Sequence, residues 1–544
     1  MDPKIDGHPA GGGDGDARRD GGRAGQRTPV PTIAQVRPRL LAWLLAGLLA
    51  GCASLDPYAG APIAAHLDRD DAVGACARLF RAADAQVDAL GVRDALAPRL
   101  AGFPYLRTDR FTASLADDAL QRQAGAAWRS MMAELDRQAR AVELANAGAA
   151  GLPDAAALNA CRATLAAADA EAIGLLAGAA QVPDDYRPAL RALGLYPLTQ
   201  LAFAAGVRGW QARTREAFAA NAAPGWLPGA SLRYVPASDP GPVPAVAQGP
   251  DFGLPQRSSS EWQALLQRHA PVVVVERGSD DDRIGAPVWG AADAAGHDLP
   301  RVDTAQPAAY TRIAFTRIAD RVHAQLVYTY WFPGRPAEHP LDPLAGLLDG
   351  LVWRVTLGAD FEPLVYDTMH PCGCYHLFVP TDRVRARPPA DDQGPLDEGM
   401  FAPTSVAVPG ADQRIELHVA SRTHYLQRVA LAPARDDDAA SVPYALRDDD
   451  ALRALPRFGS RGTRSLFGPD GLVPGTERLE RFLFWPMGIA SAGQLRQWGR
   501  HATAFVGLRH FDDARLFDHY FELRRPRQPR SEPRPMRLAS PSAP

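Results

Sequence analysis

The sequence predicts an α+β protein, with a bundle-like N-terminal helical domain followed by a mainly β domain, sandwich- or barrel-like, that carries a few helices. Three observations predict it. From about Asp70 to Asn221 the chain is rich in Ala and Leu, with apolar residues at steps of three and four. Beyond residue 256 come runs of β-branched and aromatic residues separated by turn formers. Between the two, Pro224 to Pro255 holds many Pro and Gly and little periodicity. At 544 residues, 46% hydrophobic and 22% charged, the chain has the ordinary composition of a globular protein able to bury real cores.

Taken in order, the boundaries are 1–51 for an export segment, 52–66 for a tether containing Pro57, Gly60 and Pro62, and 67–223 for the helical domain. A linker follows over 224–255, then a β-rich domain over 256–523 and an Arg- and Pro-rich tail over 524–544. Val73, Cys76, Phe80, Ala83, Val87 and Leu90 place one apolar stripe on one helix face. Further helices are expected through Trp128 to Leu135, Leu158 to Leu176 and Pro188 to Phe218. Strands are expected at Val272–Glu276, Tyr310–Ile318, Ala324–Phe332, Leu351–Leu357 and Leu364–Asp367, with a hairpin turn at Ala319 to Arg321 and a second joint at Gly358 to Asp360. Short helices are expected over Asp342–Leu348, Gln494–His501 and Asp513–Phe521. The tail has few apolar residues to bury and is expected to be disordered, either solvated or touching an anionic envelope polymer.

The segment Arg37 to Cys52 sets a cationic flank, an apolar run from Leu40, small residues and one Cys in that order. About a dozen apolar residues are too few for the ~20 of a spanning helix. Leu49-Ala50-Gly51-Cys52 resembles the lipobox of bacterial lipoprotein precursors. The resemblance covers the signal alone. It implies that Cys52 is acylated and becomes the mature N-terminus, so that a lipid anchor joins the protein to the membrane. Ala53 stands where an Asp would imply inner-membrane retention, so an outer-membrane protein facing the periplasm is implied. Residues 1–36 read as a long n-region or as lying upstream of the true start.

Composition excludes some chemistries. Lys4 is the only lysine among 59 basic residues, which removes Walker A nucleotide binding and Schiff-base chemistry from the mature chain. A formal net charge of −3 argues against nucleic acid as a partner. No Gly-x-Ser-x-Gly, His-Glu-x-x-His, Cys-x-x-Cys-His or strand-following Gly-x-Gly-x-x-Gly occurs.

Chemistry-bearing side chains concentrate in Asp367-Thr-Met-His-Pro-Cys-Gly-Cys-Tyr-His376. On a regular strand, His370, Cys372, Cys374 and His376 would share a face but spread the two histidines over about 20 Å. Pro371 and Gly373 favour a tight turn instead. Three readings of that turn stay open: a Cys372–Cys374 disulfide, a zinc or copper site drawing on His370, Cys372, Cys374 and His376 with Asp367, His424, His501 or His510 completing the shell, or a purely structural polar core. A second concentration holds Arg500, His501, Arg509, His510, Asp512 and Asp513, which with His424 could bind an anionic substrate or serve as caps and ion pairs. Cys76 and Cys161 lie on different helices and are a candidate disulfide, buried thiols being the alternative. The functional expectation is a lipid-anchored envelope protein that binds or scaffolds another envelope component. A metal- or thiol-dependent enzyme built on the 370–376 turn is the alternative.

Overall fold

Helices dominate the N-terminal region because their apolar residues recur on one side. A computed structural model describes residues 56–148, 150–223, 229–238, 247–249, 252–293, 296, 298–388, 394–435 and 438–524; Cys52, the export segment and the tail from 525 lie outside these. The five longest helices are α1 Ala72–Ala89, α2 Gly125–Ala147, α3 Ala155–Ala168, α4 Tyr196–Asn221 and α5 Ser259–His269. Asp71 caps α1 by accepting from the Val73 and Gly74 amides, and Asp154 caps α3 through the Ala157 amide. Phe80, Tyr105, Trp128, Met132 and Leu165 form the core of this region. A Cys76–Cys161 disulfide ties α1 to α3 with Cα atoms 5.0 Å apart. Inside the same core, Arg107 meets Asp136 at 3.2 Å and Glu143 at 2.7 Å. The charges are buried but mutually paired.

Two expectations for this half are corrected. The tether does not extend to residue 66: Tyr58 and Ile63 are buried in the helical core, and Ile63–Leu67 is a short helix. These two anchors outweigh the turn formers around them. The expected linker also contributes structure, because Ser231–Pro236, carrying Leu-Arg-Tyr-Val, is a strand in the middle of the large sheet.

That sheet has ten strands: β1 Ser231–Pro236, β2 Val272–Glu276, β3 Ala308–Ile318, β4 Arg321–Arg335, β5 Gly346–Leu357, β6 Pro363–Met369, β7 Leu377–Pro380, β8 Gln413–Val419, β9 Leu426–Pro433 and β10 Val442–Asp448. Their spatial order is β7-β6-β5-β4-β3-β10-β1-β2-β8-β9. The pairs β10–β3, β10–β1 and β8–β2 are parallel and the others antiparallel. Ala319 and Asp320 both have positive φ, as a two-residue hairpin turn requires, and join β3 to β4.

The sheet curls, and side chains of period two from its concave face meet in one core. Tyr328, Tyr330 and Phe332 of β4 join Leu351, Trp353 and Val355 of β5 there, with Leu417 and Val419 of β8. Helix α5 plugs this side through Leu265 and Leu266, and the Tyr328 hydroxyl donates to the Leu266 carbonyl at 2.8 Å. On the other face the C-terminal segment covers the sheet: Phe511 packs on Val327, Val352 and Met369. Phe517 and Phe521 pack on Val365 and Phe378. Both faces are therefore buried, which is why these strands read as nearly unbroken apolar runs. Helical and β regions belong to one compact unit, with Phe111 against Phe315 at 5.5 Å between ring centres.

Two expected short helices are absent. Asp342 accepts from the Glu338 and Leu344 amides, which turns the chain directly into β5. Gln494–His501 is irregular, with Gln494 and Arg496 spending their donors on the Val473 and Ala490 carbonyls. Over 513–521 only Leu516–Tyr520 is helical.

Candidate functional site

Strand β6 sorts its side chains by parity. Tyr366 and Thr368, with His370 just past the strand end, follow one another on the concave side, whereas Val365, Asp367 and Met369 point the other way. The expected cluster is thus divided by the pleat.

On the outer side Asp367 stands opposite Arg354 of β5 and accepts from its Nε at 2.9 Å and its second nitrogen at 2.5 Å. His376 Nε2 lies 2.9 Å from Asp367 Oδ2, and its Nδ1 is 3.3 Å from Thr503 Oγ1. Burial pushes the His376 imidazole down to about 4, so the ring is neutral. All three groups are paired and sealed.

After Met369 the chain turns tightly. The Gly373 amide donates to the His370 carbonyl at 2.8 Å and the His370 amide to the Cys374 carbonyl at 3.0 Å. Gly373 has φ +92, and a Cβ there would stand 2.6 Å from the Ala502 carbonyl oxygen. The turn brings Cys372 and Cys374 together without bonding them: both are free thiols, and the Cys374 amide points at Cys372 Sγ at 3.4 Å. A hydrogen bond with Cys372, with burial adding to it, holds the Cys374 thiol well above its usual range, the opposite of an activated thiolate. Among the described residues no three His, Cys, Asp or Glu side chains are placed to hold one metal ion. The disulfide and the zinc or copper site expected in this turn are not what its geometry provides. The reason is that Asp367 and His376 face away from His370.

The second concentration is likewise dispersed into pairs. Arg500 meets Asp185 at 3.1 Å, His510 meets Asp184 at 3.1 Å, and Asp512 meets Arg110 at 3.0 Å. Asp513 accepts from the Arg515 amide, His501 Nε2 donates to the Pro371 carbonyl at 3.0 Å, and Arg509 donates to the Glu398 and Gly399 carbonyls. Three of these pairs tie the C-terminal segment to the helical region, at Arg110, Asp184 and Asp185.

His370 and His424 form the center of a different constellation. Asp349, at the start of β5, lies with Oδ1 3.3 Å from His370 Nδ1 and Oδ2 2.9 Å from His424 Nδ1. His424 sits in the β8–β9 hairpin, stacked on Phe332 at 3.9 Å, with Nε2 3.4 Å from Asp282 Oδ1. Asp282 in turn pins that hairpin by accepting from the Ser421 hydroxyl and the Arg422 amide. Burial works against charge on both imidazoles, with different outcomes. Asp282 and Asp349 together hold His424 above the usual histidine range, while His370, with Asp349 alone to offset burial, stays below it. Burial would raise the Asp349 carboxyl, but the His370 and His424 imidazoles and Arg478 keep it well below the carboxylate range. The carboxylates therefore favour the proton on His424, while burial disfavours it on His370.

The His370 ring lines an open cavity of about 440 Å³ between the β6–β7 end of the sheet, the β8–β9 hairpin and one face of α4. Trp210, Arg213, Thr214 and Ala217 come from one face of α4, and Leu351, Leu377 and Leu426 make the opposite wall. Tyr375 and Tyr425 flank His370 with ring centres at 5.1 and 5.5 Å, and the Arg335 guanidinium lies over Tyr425. Two polar atoms lining this space are buried with no partner: His370 Nε2 and Thr368 Oγ1. Behind them on the same face, Trp353 Nε1 and the Tyr366 hydroxyl are also unpartnered. Leu348, Tyr375, Arg422 and His424 all have positive φ, a concentration of backbone strain around Asp349 and His370 that is characteristic of functional sites.

Asp349, Thr368, Tyr375 and Tyr425 were not singled out by sequence reasoning. A signal for Asp349 existed, since an acid in Leu-Leu-Asp-Gly-Leu-Val-Trp interrupts an otherwise apolar strand and must find a buried partner. No protein-family model, curated protein or solved structure matches this chain.

Proposed function

We propose that the protein is a lipid-anchored envelope protein that takes a small, mostly apolar molecule into the cavity at His370 and exchanges a proton with it there. The observation that carries this reading is the buried, partnerless Nε2 of His370. Its Nδ1–H is held by the Asp349 carboxylate, so the Nε2 lone pair is free on a neutral imidazole, the form a general base needs near pH 7. Thr368 Oγ1 supplies a second polar contact, and the leucines and Trp210 supply apolar wall.

Diethyl pyrocarbonate acylates neutral imidazole nitrogens, and peptide mass mapping locates the product. His370 is expected to be modified, and the neutral apolar dye N-phenyl-1-naphthylamine is expected to protect it. An unreactive His370, or modification that the dye leaves unchanged, would refute the reading. The lipid anchor has its own test. Labelling cells with a radioactive fatty acid should mark the wild-type protein and leave Cys52→Ala unmarked; equal label in both removes the lipoprotein proposal.

A further inference from the structure

Fifteen large apolar side chains are exposed among the described residues, and eight of them fall within 193–201 and 479–483 and at Leu508. These segments touch. Gly194 approaches Pro486 so closely that a Cβ would lie 2.5 Å from the proline Cβ. Arg191 donates from Nε to the Met487 carbonyl at 2.9 Å and from a terminal nitrogen to the Gly507 carbonyl at 2.6 Å. The Phe203 and Phe484 rings are 5.5 Å apart. The exposed residues therefore make one patch rather than scattered single residues, and a patch of this kind on a globular protein marks an interaction surface.

Helix α4 tells what the patch meets. Leu198, Leu201, Ala205, Arg208, Ala212 and Arg215 recur at steps of three and four on one face, and every one of them is exposed. Of the helix's described residues, Ala204 and Phe218 are the buried ones. The stripe is apolar in its first half and cationic in its second. From Arg187 to Arg215 the chain has five arginines and no Asp or Glu, in a protein whose formal net charge is −3. Leu198 is 66% exposed, and Phe482 on the neighbouring turn is 63% exposed. No described helix is long and apolar enough to cross a membrane. Exposed leucines followed along the same face by arginines, beside the exposed Leu479, Phe482 and Leu483, can set apolar side chains at an acyl boundary and cations on lipid phosphates.

We propose that this face, formed by the first half of α4, the turn at 479–483 and Leu508, docks on an anionic phospholipid surface. The inference is independent of the cavity reading and of acylation at Cys52.

The test uses the full chain carrying an environment-sensitive nitrobenzoxadiazole label at L198C, with A305C, in the exposed turn before β3, as the second site. Unmutated protein labelled in parallel corrects for Cys372 and Cys374. With vesicles of mixed phosphatidylglycerol and phosphatidylethanolamine, the label at L198C should brighten, shift to the blue and be quenched by doxyl-labelled lipid, while the label at A305C should behave as in buffer. Because the readout is local, an N-terminal segment that binds vesicles by itself cannot imitate it. L201E/F482E should weaken the L198C response at least about tenfold, since both changes put charge where acyl chains would be. R208E/R215E should weaken it to a similar extent on anionic vesicles. No response at L198C, an equal response with pure phosphatidylcholine, an equal response at A305C, or a blue shift that grows with protein concentration without lipid would each overturn the proposal, the last by identifying a second copy of the chain as the occupant.

Discussion

Glu480 makes the stability of the fold sensitive to pH, and the size of its effect can be worked out. The residue is 4% exposed, and its carboxyl packs against Gly493, where φ is +82 and a Cβ would stand 1.9 Å from Oε1. Burial pushes the carboxyl up from 4.5 to about 7; Arg478 and Arg335 oppose the rise, and Asp349 and Asp342 add to it. The folded protein therefore keeps a proton that the unfolded chain releases. Stability is at its full value below 4.5, falls as pH rises from there and has lost its whole increment once pH passes about 7. The gap between 4.5 and about 7 corresponds to about 3 kcal/mol. Glu480→Gln supplies a neutral side chain of the same shape. It should match the wild type at pH 4.5 and exceed it by about 3 kcal/mol at about pH 8. With about 2.1 cal/mol/K of unfolding entropy per residue, that is a rise of about 3 °C in the midpoint for a body of this size. Circular dichroism melts of both proteins across this range give the difference directly, and other titrating groups cancel between the two. A difference that stays flat from pH 4.5 to about 8, or that is larger at the acid end, refutes the argument that burial dominates at Glu480.

Two further outcomes follow from the same structure. Cys76→Ser/Cys161→Ser opens a loop with a sequence separation of 85, so chain entropy alone predicts a loss of about 4.5 kcal/mol, and reductant should lower the wild-type melt toward that of the variant. Arg354→Met leaves the Asp367 carboxylate buried beside a neutral His376, which should cost about 3–5 kcal/mol by denaturant titration; adding Asp367→Asn should restore part of it, because the uncompensated charge is the larger cost.

Fold class was legible because it rests on local patterns. The stripe from Val73 to Val87 needed only helical spacing, and the β-branched and aromatic runs at 310–332 needed only strand propensity and the positive-φ turn at Ala319 and Asp320. Elements defined by distant partners were not legible. The short apolar run in Ser231–Pro236 becomes a strand because β10 and β2 offer edges on both sides, whereas Gln494–His501 stays irregular because its side chains reach carbonyls elsewhere. The site shows the same limit. His370 stood out by residue type, but its partner Asp349 lies 21 positions earlier on another strand, and nothing in a single sequence says that they meet. Nor does spacing alone reveal that Asp367 and His370 would fall on opposite sides of β6.

That division of β6 has a consequence for how the chain can change over time. Its two faces carry incompatible chemistries: Tyr366, Thr368 and His370 border an apolar hollow, while Asp367 neutralises Arg354 under the C-terminal segment. Inserting or deleting one residue between Pro363 and Asp367 would swap the faces, sending a carboxylate into the hollow and leaving a guanidinium buried opposite Tyr366 or Thr368. Length changes should therefore be confined to the joint at Gly358 to Phe361, outside the register of β6, and variation at the hollow should proceed by substitution.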